Sequence, residues 1–424
     1  MADGYARATG QAGLILAGQN GPGTTNLVTG LSQAKAAYSP VISIAGMLAQ
    51  GHVYRDAFQE VDQQALFTPV TKKTWTVPSA DRVPEILREA YRVALSPRRG
   101  PVQVNLPRDV LAASHEYRDE GFQPPEVSRN HSAPYPNPAD VRAAAEALAS
   151  AQRPVIVAGG GIKSTGGAQA ALALAEALGC PLVTSPGHGD AVPFSHPSNA
   201  GQMGPRGNPV ASRLMREADV ILALGTRLGF NSTFYSYDNI NAAAKIIHVE
   251  IEPTAIGRYF PIHQGIWAHA PAVAEALTQR LAQLDKRAIA ADWFANFADE
   301  RAAYRAGRAA QAQMGVPIQP SGLFEALRQT LPGDCAYTLD AGTLCLQATD
   351  ALVLERPNSL FSPLDFGLVG FSFACGLGVK IARPEQTVVS LMGDGGFGMT
   401  ISELSTAVDA VSYTHLTLPT TSRV

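Results

Sequence analysis

A chain of 424 residues exceeds what one hydrophobic core usually carries, and at roughly 100–200 residues per domain it predicts two to three domains. With 46% hydrophobic and 16% charged residues and a net charge of −3 it lacks the basic field that nucleic acid demands, so small-molecule chemistry is expected. No apolar run reaches the roughly 18–20 residues of a membrane span, and Cys180, Cys335, Cys345 and Cys375 have no CxxC spacing, so a reducing cytoplasm without membrane, zinc site or disulfide framework is the expected setting.

Short apolar runs that end in Gly or polar residues alternate with Ala/Leu-rich stretches of helical length, the rhythm of βαβ units. The fold class is therefore α/β, with doubly wound parallel sheets. Two polar stretches interrupt the rhythm: residues 115–138, with five prolines, and the Ala/Arg-rich residues 288–320, which read as helical. Placing the boundaries there gives a first domain over 1–115, a linker over 116–137, a central domain over 138–285, a helical linker over 286–315 and a third domain over 316–410.

In the first domain, residues 14–17 read as a strand that runs into Gly21-Pro22-Gly23-Thr24-Thr25-Asn26. Gly21 and Gly23 carry no side chain where the backbone turns, Pro22 stiffens the turn, and Thr24 or Thr25 is placed to cap a helix through Ala37. A ligand ring can approach closely there; the same residues also make a tight βα turn that needs no ligand.

In the central domain, residues 154–158 lead into Gly159-Gly160-Gly161, residues 219–224 into Gly225-Thr226-Arg227, and residues 246–252 form a third strand. Strand ends of this kind contact nucleotides in dinucleotide-binding halves, and the same glycines also suffice merely to turn the chain.

In the third domain, residues 387–392 read as a buried parallel strand that delivers Gly393-Asp394-Gly395-Gly396-Phe397 to its carboxyl end, ahead of a helix over residues 399–410. Gly393 and Gly395 leave backbone N–H groups open to phosphate oxygens, and Asp394 offers a hard oxygen to Mg²⁺. A diphosphate bridged by magnesium fits those parts, although Gly-Asp-Gly alone is common in turns.

Residues 1–10, Gly21-Pro22-Gly23 with Asn26-Leu27-Val28, Asp56-Ala57-Phe58-Gln59-Glu60, Gly100-Pro101-Val102 with Pro107-Arg108-Asp109, and the Gly393-Asp394-Gly395 strand end occur together in this order. Over residues 1–410 this resembles the thiamine-diphosphate (ThDP) enzyme superfamily, in the branch of acetolactate synthase and sulfoacetaldehyde acetyltransferase. The resemblance implies a pyrimidine-binding domain, a central domain and a diphosphate-binding domain, the first and last incomplete. It also implies a homodimer or homotetramer with its sites between chains.

By the same resemblance Asp394 binds Mg²⁺, Gly393, Gly395 and Gly396 cradle the diphosphate, and Gly21, Pro22, Gly23 and Asn26 lie against the aminopyrimidine. Val369 stands where the family uses a larger apolar wedge, often Met. Phe58, Gln59 and Lys72 align with the substrate channel; read by themselves they are a core aromatic, a surface amide and a solvated lysine. The implied activity is decarboxylation or carboligation of a 2-oxo acid such as pyruvate. Sulfoacetaldehyde acetyltransferase chemistry is the alternative, and a non-catalytic nucleotide-binding module is the alternative of another class. In the acetolactate synthase branch the central domain holds FAD, which implies contacts at Gly159, Gly160, Gly161, Gly225, Thr226 and Arg227. That group's Arg-Phe-Asp-Asp-Arg run is replaced here by Arg227-Leu228-Gly229-Phe230-Asn231.

Two family groups have no counterpart in the sequence. The activating Glu falls upstream of Met1, and an Asn pair that completes the Mg²⁺ ligands falls at Thr420 and Thr421. Residues 411–424 are expected to be translated transposase-adapter sequence, because they lack a strand-like run and residues 411–420 match the adapter's translation. The chain is accordingly expected to be a truncated, inactive copy of its parent enzyme.

Overall fold

The computed structural model describes residues 1–119, 122–124, 127, 132–285, 289–312 and 318–410; the expected adapter segment, with Thr420 and Thr421, lies outside them. Thirteen strands form three separate sheets among the described residues, and every strand pair is parallel.

The first sheet contains β1 (Gly13–Ala17), β2 (Val41–Met47), β3 (Thr74–Thr76) and β4 (Val102–Pro107) in the order β1-β2-β4-β3. The second contains β5 (Pro154–Ala158), β6 (Leu182–Thr184), β7 (Asn199–Gln202), β8 (Val220–Leu224), β9 (Lys245–Glu250) and β10 (Gln264–Trp267) in the order β10-β9-β8-β5-β6-β7. The third contains β11 (Ala336–Leu339), β12 (Leu360–Phe361) and β13 (Val388–Leu391) in the order β12-β11-β13.

The apolar runs of the central strands have a direct cause. Val155 and Val157 of β5 enter one core, with Leu214 and Met215 of the helix Pro209–Glu217. Ile156 and Ala158 enter the opposite core, with Leu148, Leu174 and Leu277 from three other helices. A sheet covered on both faces has no solvent side, so it spells continuous Val, Ile, Leu and Ala rather than alternation. β13 differs from the expectation: all four residues of this edge strand are only half-buried.

The first and third units meet backbone to backbone. A Cβ added to Gly4, in the helix Ala2–Thr9, would stand 2.2 Å from the Cys375 carbonyl oxygen, and one added to Gly378, in the helix Phe371–Ala382, 2.1 Å from that of Met1. Arg7 extends the contact, donating to the Ser362 carbonyl at 3.1 Å with its guanidinium over Phe361 and Phe371.

The central unit is tied to the third through buried charge. Lys163 pairs with Asp190 at 2.8 Å, both buried, and its Nζ also donates to the Leu360 carbonyl at 2.5 Å. Asp190 Oδ2 in turn accepts from the backbone N–H groups of Ser359 and Leu360, each at 2.9 Å. Burial lowers the Lys163 pKa and Asp190 opposes the shift. A buried pair becomes tolerable when further hydrogen bonds share its charge in this way.

The segment read as the second linker contains the helix Ala291–Ala310. It straps both units: Arg305 lies 3.8 Å over the Phe194 ring, while Arg308 and Tyr304 both bond Asp350 of the helix Thr343–Ala351, at 2.7 and 2.6 Å.

Replacing Gly378 by Ala tests the helix contact, since helix propensity alone favours Ala by about 1 kcal/mol. The backbone clash is expected to outweigh this and to give a net loss of about 1–3 kcal/mol, read as a lower urea midpoint at unchanged m-value.

Candidate cofactor site

β11 and β13 are neighbours in register, Leu339 opposite Leu391, so the turns that follow them lie side by side at the carboxyl edge of the third sheet. β11 runs into Asp340-Ala341-Gly342 and the helix Thr343–Ala351; β13 runs through Met392 into Gly393 and the helix Asp394–Thr400. The sequence placed that last helix from residue 399 onward. It starts earlier because Gly393 adopts an extended N-cap geometry and its carbonyl accepts from Phe397 N–H at 3.0 Å. A shorter helix, Leu404–Ala410, follows.

The edge is open. Cβ atoms added to Gly342, Gly393 and Gly395 would meet nothing within 4 Å. Asp394 is exposed, and among the described residues it makes no side-chain hydrogen bond or ion pair. A third turn closes on the same edge: Gly367 and Gly370 have φ of 79° and 83°, and a Cβ on Gly370 would come within 3.1 Å of Met399 Cβ. This turn carries Val369, 42% exposed. The structure thus brings together Val369, Gly393, Asp394, Gly395 and Gly396, the last packed under the turn against Asp340. Asp340 escaped the sequence reading, although strand, Asp, any residue, Gly, helix repeats the logic of the Asp394 turn.

At the end of β1, Gly21 has φ of 58° and a Cβ there would stand 2.7 Å from Gln59 Cβ. Gln19 donates to Gln59 Oε1 at 2.6 Å and Asn20 to the Gln59 carbonyl at 3.0 Å. Gln59 therefore belongs to the Gly21-Pro22-Gly23 turn, and Phe58 beside it is 83% exposed rather than part of a core. The Glu60 carboxylate folds this loop by accepting from Tyr54 and Ala57 N–H groups at 2.6 and 2.9 Å, the Tyr54 bond contributing most to its lowered pKa. Thr24 does not cap a long helix: its hydroxyl donates back to the Gln19 carbonyl at 2.8 Å, and the helix Pro22–Thr25 stops at exposed Asn26 before Val28–Ala36 begins.

Lys72 lies elsewhere in that unit. Its Nζ donates to the Val93 carbonyl at 2.8 Å and to Ser96 Oγ at 2.7 Å, at the end of the helix Val83–Leu95. Burial brings its pKa down to about 8.

In the central sheet the strand order reverses between β5 and β8, so their end turns adjoin at the switch point. They touch directly: a Cβ on Gly159 would lie 2.3 Å from the Gly225 carbonyl oxygen and one on Gly161 2.7 Å from Gly225 Cα, while Gly161 N–H donates to the Gly225 carbonyl at 2.9 Å. Close packing by itself demands these glycines. Thr226 hydrogen-bonds Ser185 at 2.7 Å. Arg227 stacks 5.0 Å from the Tyr38 ring centre and pairs with Asp365 at 3.3 Å, joining all three units; Arg98 covers Tyr38 at 4.9 Å.

Among the described residues no cluster of three or more His, Cys, Asp or Glu could hold a metal ion, and no helix is long and apolar enough to cross a membrane. No hydrogen bond or ion pair among them joins the Gly21 turn to the Asp394 turn. A lone carboxylate above an open glycine edge still suits Mg²⁺, which keeps water and phosphate oxygens as its other ligands.

Three family models match in this order: thiamine pyrophosphate enzyme, N-terminal TPP binding domain, over residues 1–66; the central domain over 141–277; and the C-terminal TPP binding domain over 340–417. Among curated proteins the chain is 34% identical to sulfoacetaldehyde acetyltransferase of Alcaligenes xylosoxydans xylosoxydans, over 96% of this chain and 70% of that protein. It is 30% identical to the acetolactate synthase large subunit of Buchnera aphidicola subsp. Acyrthosiphon pisum, over 96% and 70%. It is 32% identical to the acetolactate synthase isozyme 3 large subunit of Escherichia coli K12, over 96% and 71%. With three parallel α/β sheets matching the three domains in order, the chain belongs to the thiamine pyrophosphate enzyme family.

Proposed function

We propose that the gene product is a ThDP- and Mg²⁺-dependent decarboxylase and carboligase acting on a 2-oxo acid such as pyruvate, in the manner of acetolactate synthase. The observation that carries this reading is the open edge at Gly393 and Gly395, with exposed Asp394, unpaired among the described residues, and with Val369 beside it, in a chain of this family. When bound, ThDP supplies the electron sink that decarboxylation beside a carbonyl requires. Asp394 would hold Mg²⁺ through its carboxylate, and the amides of Gly393 and Gly395 would face the diphosphate oxygens, with Gly396 packed beneath. The Gly21-Pro22-Gly23 turn and Asn26 would lie against the aminopyrimidine across a homodimer or homotetramer. Phe58 and Gln59 would line the approach of the 2-oxo acid, and Lys72 would join them by releasing Val93 and Ser96.

A second reading, acetyl transfer as in sulfoacetaldehyde acetyltransferase, draws on the 34% identity to that enzyme. FAD at residues 159–161 and 225–227 is a separate proposal, and the packing of these glycines on one another does not require it. Pyruvate consumption without added phosphate favours the first reading, and acetyl phosphate formed from sulfoacetaldehyde favours the second. Co-purifying flavin absorbance tests for FAD. Failure to bind ThDP by calorimetry in a folded protein would favour a non-catalytic module.

Replacing Asp394 by Ala is expected to abolish Mg²⁺-dependent ThDP binding while stability stays within about 0.5 kcal/mol, because an exposed side chain with no packing role is removed. Calorimetric titration with denaturation as control checks both. Burial beside Val93 and Ser96 keeps Lys72 of the free protein cationic only below about 8, so if binding an anionic 2-oxo acid draws on that charge KM rises as pH passes this value, and Lys72→Met flattens the rise. Parallel KM profiles in wild type and variant would remove Lys72 from the channel.

A further inference from the structure

We propose that Asp340 is a positioning residue of the cofactor site: its buried carboxylate holds the Val369 turn and the Gly393–Gly396 turn in one arrangement. This rests on the ThDP reading above. Asp340 is 3% exposed, and among the described residues it makes no ion pair. Its partners are backbone groups. Oδ1 accepts from Gly370 N–H and Oδ2 from Ser372 N–H, both at 2.9 Å, at the start of the helix Phe371–Ala382. Its own N–H donates to the Leu391 carbonyl at 3.0 Å, which fixes it to the last residue of β13. Gly396 then closes over it, since a Cβ there would stand 2.8 Å from Oδ1.

A carboxylate taken out of water is costly unless its lone pairs are occupied, and two amide N–H groups at a helix start meet that need. The bonds also constrain the amides. Gly370 sits at φ 83°, a conformation with little hold of its own, and the bond to Asp340 selects it. Val369 immediately precedes Gly370, and Asp394 lies two residues before Gly396. One side chain thereby sets the distance between the two segments that would meet the ligand. Asn in its place keeps the shape but turns one acceptor into a donor that faces an N–H, so one bond is lost.

A neighbouring polar ladder offers a control. One pleat back along β11, Thr338 bonds Ser372 and Ser390, at 2.9 Å to the Ser372 carbonyl and 2.8 Å to Ser390 Oγ, without touching Gly370 or Gly396. The variants Asp340→Asn, Gly396→Ala and Thr338→Val are compared with the unsubstituted protein for ThDP affinity with Mg²⁺, for denaturation midpoint, and for hydrogen exchange of the Gly370 amide in the cofactor-free protein. Expected for Asp340→Asn are a tenfold or greater loss of affinity and a tenfold or greater acceleration of Gly370 exchange. Gly396→Ala, which drives a methyl into the Asp340 carboxylate, should lose affinity likewise and serves if Asp340→Asn fails to fold. Thr338→Val should lower the midpoint yet keep affinity within twofold. Wild-type affinity in Asp340→Asn, or an equal loss in Thr338→Val, would overturn the proposal. If wild type binds no ThDP, the cofactor reading fails, while unchanged Gly370 exchange in Asp340→Asn would separately sink the role of Asp340.

Discussion

The helix Phe371–Ala382 is the member on which the other parts of the molecule are built. At its start, Gly370 and Ser372 give their N–H groups to Asp340; along its length, Cys375 and Gly378 lie against the backbone of Ala2–Thr9. Backbone contact at this distance admits no side chain on either partner, so the first unit has one seat on the third. The turn bearing Val369 is the same helix's leading edge. Where the first unit sits and where Val369 points are thus two ends of one rigid rod.

Beside the backbone contact of the first and third units, the seams carry charges that answer backbone groups as well as opposite charges. Arg7 donates to the Ser362 carbonyl, Arg383 to Ala8, Lys163 to Leu360, and Arg301 of the linker helix to His196 and Asn199. A carbonyl in a fixed chain trace accepts best near its own plane along its lone-pair directions, so these contacts specify orientation as well as adding affinity between units. Asp190 and Asp350 are the acidic counterparts, each meeting a seam from the opposite side.

The central strands were legible because a sheet covered on both faces leaves uninterrupted apolar runs, and the strand-end glycines were legible because each follows an apolar run. The linker helix Ala291–Ala310 also declared itself by composition. Three things were hidden for physical reasons. Glycine-rich residues 393–398 have poor helix propensity, yet they form the first turn of Asp394–Thr400, because position after a strand outweighs composition there. The glycines at 159–161 fit a ligand turn equally well in sequence; only the register of β5 beside β8 reveals that Gly225 fills the space. Asp340 and the Arg98, Tyr38, Arg227 stack depend on residues far apart in the chain, and nothing local marks them.

Cys375 occupies the seam between Ala2–Thr9 and Phe371–Ala382, fully enclosed, with burial raising its thiol pKa to about 12. A thiol reagent reaches it only when those two helices part, and then meets an ordinary thiol with an ordinary pKa. Its modification rate is therefore a native clock for the parting of these two helices, needing no introduced probe and reading one of the joints that seat the first unit.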